Sequence, residues 1–195
     1  MKGLLARKIG MTRVIDPETG EMTTVTVLQA PKAKILQVKT SQNDGYDALV
    51  LGAFERKNFG KNENKKYKFI KELSVENTAF KKGDEVGVEQ FESVEKVGIK
   101  GTSQGKGFAG VIKRHNFSRG PETHGSHHHR EPGSSGMCAK PARILKGKKM
   151  PGRMGNDSIT LRDVKVVKVD IAQNLIALKG PVPGPKNSYC FITAN

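Results

Sequence analysis

His124, His127, His128, His129 and Cys138 lie close together in the chain, and imidazole and thiol are side chains that hold zinc. A zinc site needs paired ligands at defined spacing and usually a second nearby cysteine. Cys190, the other cysteine, is near the C-terminus, so no metal or other cofactor is expected. Ser134 and Ser135 could be drawn into a triad with these histidines, but the strained G-x-S-x-G elbow is absent. Gln104-Gly105-Lys106-Gly107 is followed by Phe108, which breaks the GxxxxGK[ST] pattern of a phosphate-cradling nucleotide loop. Glu122 and Glu131 read as neutralising nearby arginines. The chain is expected to be no enzyme and to have no small-molecule substrate.

What residues 100–155 carry instead is charge. Lys100, Lys106, Lys113, Arg114, Arg119, Arg130, Lys140, Arg143, Lys146, Lys148, Lys149 and Arg153 face only Glu122 and Glu131, a net +10 of the chain's +15. Such asymmetry points to a polyanion. Large apolar residues are too sparse here for a core, so order must come from a partner. Gly101, Gly105, Gly107 and Gly110 permit positive φ and close approach to phosphates. A solvated linker is the bland alternative for a Gly-rich stretch, but the interleaved Lys106, Lys113 and Arg114 favour RNA. Arg119, Arg130, Arg143 and Arg153 suit bidentate phosphate or guanine contacts. Lys140, Lys146, Lys148 and Lys149 act as point charges. His115, Asn116, His124 and the run His127 to His129 are candidates for hydrogen bonding or stacking on RNA, as is Phe117. A membrane surface is the other polyanion, but no basic amphipathic helix with a continuous apolar face occurs.

A loop of this kind needs a body to aim it. Hydrophobic residues make up 35 % of the chain and Trp is absent, which fits a globular part plus an extended one. The N-terminal residues lack the continuous apolar core of a signal peptide, and no run approaches a membrane span. Short strands are predicted over residues 23–28, 33–38, 48–54, 85–91, 158–161, 165–169, 175–178 and 189–193, with turns at Asn43-Asp44-Gly45, Lys82-Gly83-Asp84 and Ala172-Gln173-Asn174. The spacing suits a barrel or sandwich. Residues 108–114 could hold a short helix at the loop's root. Residues 58–71, Lys-rich with Phe59, Tyr67 and Phe69, read as an insertion, with a helix after it.

The stretch Gly101-Thr102-Ser103-Gln104-Gly105-Lys106-Gly107-Phe108-Ala109-Gly110 resembles the bacterial ribosomal protein uL3 family. The likeness continues through Arg114-His115-Asn116-Phe117, Thr123-His124-Gly125, Pro132-Gly133-Ser134, Lys146-Gly147-Lys148-Lys149-Met150, Gly152, Met154-Gly155-Asn156 and Lys179-Gly180-Pro181-Val182-Pro183-Gly184. Gly10-Met11-Thr12, with Lys8 before it and Arg13 after it, also fits, and both cations join the candidate RNA-binding residues. The resemblance implies a mainly β fold: a six-stranded, translation-factor-like β-barrel with an irregular insertion and a long extended internal loop. Residues 1–99 and 156–195 would form the body, with the insertion at about 55–82, and residues 100–155 the loop. It implies a cytoplasmic structural constituent of the large ribosomal subunit. That constituent would bind 23S-type rRNA early in assembly, touch neighbouring ribosomal proteins, and send its loop towards the peptidyl transferase centre. Three departures stand out: Gly98 replaces the family's usual Asp or Asn, Met137 replaces a glutamine that is methylated in many members, and the run His127-His128-His129 is unusual at this place.

Overall fold

The computed structural model describes residues 2–15, 20–56, 66–75 and 80–194. The fold is mainly β. The chain divides into two compact units, Met1–Ser103 with Ser158–Asn195, and Gln104–Asp157.

The first unit holds two antiparallel sheets. One is made of β1 (Lys2–Ile15), β2 (Met22–Gln29), β7 (Lys96–Thr102), β10 (Ser158–Asp170), β11 (Leu175–Lys179) and β12 (Tyr189–Ala194). Its hydrogen-bonded order is β1-β12-β7-β10-β11-β2, and β2 pairs back to β1, so each strand has two neighbours. The other sheet runs β5 (Tyr67–Ser74), β4 (Ala48–Glu55), β3 (Ala33–Lys39), β6 (Glu85–Val86). A helical turn, α1 (Ser41–Asp44), ends at Gly45 in the left-handed region and joins β3 to β4.

Each sheet closes over its own apolar cluster, and β1 serves both. Leu4 and Ala6 lie with Leu28, Ile99, Ile176, Leu178 and Ile192, whereas Leu5 lies with Ile35, Leu49, Leu51 and Leu73. A strand buried on both faces has no polar alternation, which is why the Leu4-Leu5-Ala6 run carries no strand signature. Gly3 keeps the approach tight: a Cβ there would come 2.7 Å from the Leu73 methyls.

Several sequence expectations are corrected. Residues 88–91, expected to continue a strand, wind into a 3-10 turn, Val88–Phe91. Three-residue spacing eclipses Val88 and Phe91 on one side, and both are buried in the first cluster. Residues 67–74, expected inside an irregular insertion, form β5, paired with β4 from Tyr67 to Ser74. Residues 57–65 of that insertion lie outside the described residues. Of the stretch after it, where a helix is expected, 72–74 continue β5, 80–84 form no helix, and 76–79 lie outside the described residues. The two short strands expected at 158–161 and 165–169 are one, β10, carried through a bulge between Leu161 and Val164. Strand β7 extends to Thr102, so Lys100 and Gly101 belong to a sheet rather than to the loop.

Candidate nucleic-acid interface

Residues Gln104–Asp157 form the second unit. Its root is a small antiparallel ladder of β8 (Phe108–Ala109) on β9 (Gly152–Arg153). The Lys106 amide donates to the Met154 carbonyl and the Met154 amide to the Gly107 carbonyl, each at 2.9 Å. Gly155 has φ +73, and a Cβ there would collide with the Gln104 carbonyl, so this crossing needs glycine. Helix α2 (Val111–His115) follows and ends at Asn116, whose left-handed backbone lets its amide reach the Ile112 carbonyl.

The sequence singled out Arg114 and His115 for RNA, and both spend contacts on the root. Arg114 Nη1 donates to the Met150 carbonyl at 2.8 Å, and His115 Nε2 lies 3.1 Å from the same oxygen. Arg114 lies against Gly152, where a Cβ would come 2.6 Å from Nη1. His115 and Phe117 form a tilted ring pair at 6.2 Å. Beyond them, the Gly120 amide donates to the His129 carbonyl at 3.0 Å, and His129 Nδ1 lies 2.8 Å from the Pro121 carbonyl. Arg119 pairs with Glu122 and His128 with Glu131, so the unit's two glutamates each meet a local base.

Residues 121–149 are exposed throughout except Ser126, which is half-buried. Met137, Ile144 and Leu145 are among the exposed, at 72, 49 and 54 %. Among the described residues, Lys106, Lys113, Arg130, Lys140, Arg143, Lys146, Lys148, Lys149 and Arg153 have no side-chain hydrogen bond or ion pair. His124 and His127 are exposed as well, with His124 at φ +55. Gly105 has open space apart from the Asn156 Cβ at 3.5 Å, and Gly107 takes φ +67 with nothing near. Backbone and cations are thus presented outward along one continuous stretch.

The remaining candidates belong to the first unit. Lys8 Nζ donates to the Val182 and Gly184 carbonyls at 2.8 and 3.1 Å, fixing the Gly-Pro loop that precedes β12. The Lys8 backbone also bonds to Ser188 and Asn187. Its half-buried ammonium is thus hydrogen-bonded within the protein. Arg13 is exposed on β1 and contacts Met22 Sδ at 3.6 Å. Lys100 is exposed on β7. Gly101, read as a phosphate-approach glycine, is buried against Pro183, 3.2 Å from where a Cβ would stand. Sequence reasoning passed over Lys96, Arg162 and Lys165, exposed on β7 and β10; only the strand register reveals that they are neighbours.

Among the described residues no three His, Cys, Asp or Glu side chains come together as a metal set. Ser134 Oγ donates to the Gly136 carbonyl at 3.1 Å and closes a local turn. Burial pushes the Cys190 thiol up to about 12, against a smaller opposing effect of Lys8, so it is not a nucleophile near neutral pH.

Residues 66–175 match the family model described as Ribosomal protein L3. The large ribosomal subunit protein uL3 of Oceanobacillus iheyensis is 46 % identical over 99 % of this chain and 97 % of its own length. Its counterpart in Desulfotalea psychrophila is 47 % identical over 97 and 96 %, and that of Heliobacterium modesticaldum 44 % over 100 and 97 %.

Proposed function

The chain belongs to the ribosomal protein L3 family, and from that premise we propose that it is a structural constituent of the large ribosomal subunit that binds 23S-type rRNA. Relatives that share the full length of this chain carry the name of a ribosomal protein. The chain is accordingly a cytoplasmic component of the ribosome and not an enzyme. Its partners are rRNA and neighbouring large-subunit proteins.

The single observation that carries the RNA reading is the state of residues 121–149. They expose six cations without an ion pair, together with Met137, Ile144 and Leu145, and contribute nothing to either apolar cluster. A polyanion neutralises the cations, and bases and sugars cover the apolar side chains. The mechanism is charge neutralisation and shape fitting, with little reading of base sequence. We read the body as residues 1–99 and 156–195 and the loop as residues 100–155; the compact second unit, Gln104–Asp157, starts after those loop limits begin and runs past their end, with Lys100 to Thr102 paired in β7. The ring of six strand pairings supports reading the body as the translation-factor-like barrel that the resemblance implies. The loop runs inward towards the peptidyl transferase centre and joins early in assembly, where it fixes RNA helices against one another. Met137 has no side-chain amide, so the glutamine methylation that the family resemblance implies for many members has no acceptor here.

Hydroxyl-radical footprinting of the full-length protein on large-subunit rRNA tests this reading. The intact chain protects defined backbone segments, and deleting residues 121–149 removes a discrete subset of them. No protection by the intact chain, or an unchanged footprint after the deletion, would overturn it.

A further inference from the structure

The outer face of β7 and β10 carries a second group of cations, of which the sequence singled out only Lys100. Strand β7 alternates: Val97 and Ile99 are buried, while Lys96 and Lys100 are exposed. Lys96 lies directly opposite Lys165 of β10. Both are exposed, and neither has an ion pair among the described residues. Like charges directly opposite across a pair of strands are destabilising, and an anion lying over both removes that cost.

The pairing Leu161 with Ile99 and Val164 with Val97 leaves Arg162 and Asp163 together facing Gly98. Asp163 takes φ +56, a strained value for a non-glycine residue, and the bulge leaves Arg162 exposed. On its other side Gly98 pairs with Thr193 of β12. With no side chain at 98, a groove of about 410 Å3 lies here, lined by Lys96, Thr160, Arg162, Asp163 and Thr193. A Cβ at 98 would stand 3.1 Å from Thr193 Oγ1. The groove thus offers the Thr160 hydroxyl and two cations at its wall, with Lys165 and Lys100 extending the row, while the Thr193 hydroxyl donates to the Gly98 carbonyl at 3.5 Å. Asp163 is the one carboxylate in the lining.

We propose that this groove and its flanking lysines form a second phosphate-binding site, on the body, for the sugar-phosphate backbone of RNA. The proposal rests on the reading of the chain as an RNA-binding protein. Length decides for a polymer over a free phosphate ion. Lys96 and Lys100, four residues apart on one strand, stand about 13 Å apart. Successive phosphates of one strand lie much closer than that, about 3.4 Å apart along the axis in double-stranded DNA, and RNA phosphates are likewise more closely spaced. The row therefore follows several phosphates and does not chelate one. Two attachment points also give the protein something that the loop alone does not: the body is held in register on the RNA while the loop threads.

The test uses the full-length chain with Lys96, Arg162 and Lys165 all replaced by glutamine, and in parallel Gly98→Asp, which sets a carboxylate on the groove floor. Binding to large-subunit rRNA is titrated against salt and footprinted. The triple variant lowers the slope of log affinity against log salt by about 2–3, since each phosphate contact contributes about 0.7–0.9. Both variants lose one patch of backbone protection and keep the patch that depends on residues 121–149. Thermal unfolding of the triple variant stays at or above the parent's, because a like-charge pair has been removed. Full retention of the footprint and slope in the triple variant overturns this inference and leaves the loop reading standing. Absence of any footprint with the parent protein overturns both.

Discussion

Replacing Lys140, Arg143, Lys146, Lys148 and Lys149 by glutamine probes the loop at its densest charge. All five are exposed and without an ion pair among the described residues, and none contributes to an apolar cluster. The substitutions therefore leave folding untouched, and the circular dichroism spectrum and urea midpoint match the parent's. If each cation neutralises one phosphate, the slope of log affinity against log salt falls by about 3.5–4.5. Raising salt fourfold, from about 50 to about 200 mM, then weakens the parent about 100- to 500-fold more than the variant. Fluorescence anisotropy with a labelled large-subunit rRNA fragment, titrated at four or five salt concentrations, reads this directly. An unchanged slope would show that these cations are solvated and touch no phosphate, and the argument from unpaired charge would fail with them.

Four further outcomes follow from particular contacts. Lys8→Met removes two charged hydrogen bonds to the Val182 and Gly184 carbonyls; urea unfolding shows a loss of about 2–4 kcal/mol, while the salt slope of RNA binding does not move. Gly155→Ala forces a Cβ onto the Gln104 carbonyl at φ +73, and amide exchange at Lys106 and Met154 accelerates as about 1–3 kcal/mol of strain loosens the root. Phe91→Ala empties a fully buried site in the first apolar cluster and costs about 3–5 kcal/mol by denaturant unfolding. A maleimide at neutral pH labels exposed Cys138 alone in the folded chain, and Cys190 only after unfolding, because burial holds its thiol protonated up to about 12. The same shift has a sign: the folded thiol binds its proton more tightly than the unfolded one, so this contribution to stability falls as pH rises above about 9.

How much of this was legible in the sequence differs by element. Strands β2, β3, β4, β11 and β12 announced themselves through β-branched or apolar runs with turn residues at their ends. Strand β1 did not, because burial on both faces erases alternation and Arg7 and Lys8 interrupt the run. Strand β7 was hidden by Gly98 and Gly101, which look like loop residues until the register shows one opposite a bulge and the other against Pro183. The loop was the most legible part of the candidate site, since a stretch without large apolar residues cannot hide its charge in a core. Local sequence could not separate Arg114, which grips the Met150 carbonyl, from Arg130, which has no such partner. That distinction depends on a contact 36 residues away. The cations of the second group were invisible for the same reason: Lys96 and Lys165 become neighbours only through pairing.

We propose that this chain is an integral part of the large ribosomal subunit, held through its loop. Sedimentation of tagged protein with large subunits through a high-salt cushion tests it most directly. The intact chain stays with the particle at one copy per subunit, and the chain lacking residues 121–149 is washed off. Release of the intact chain by salt, or retention unaffected by the deletion, would contradict it.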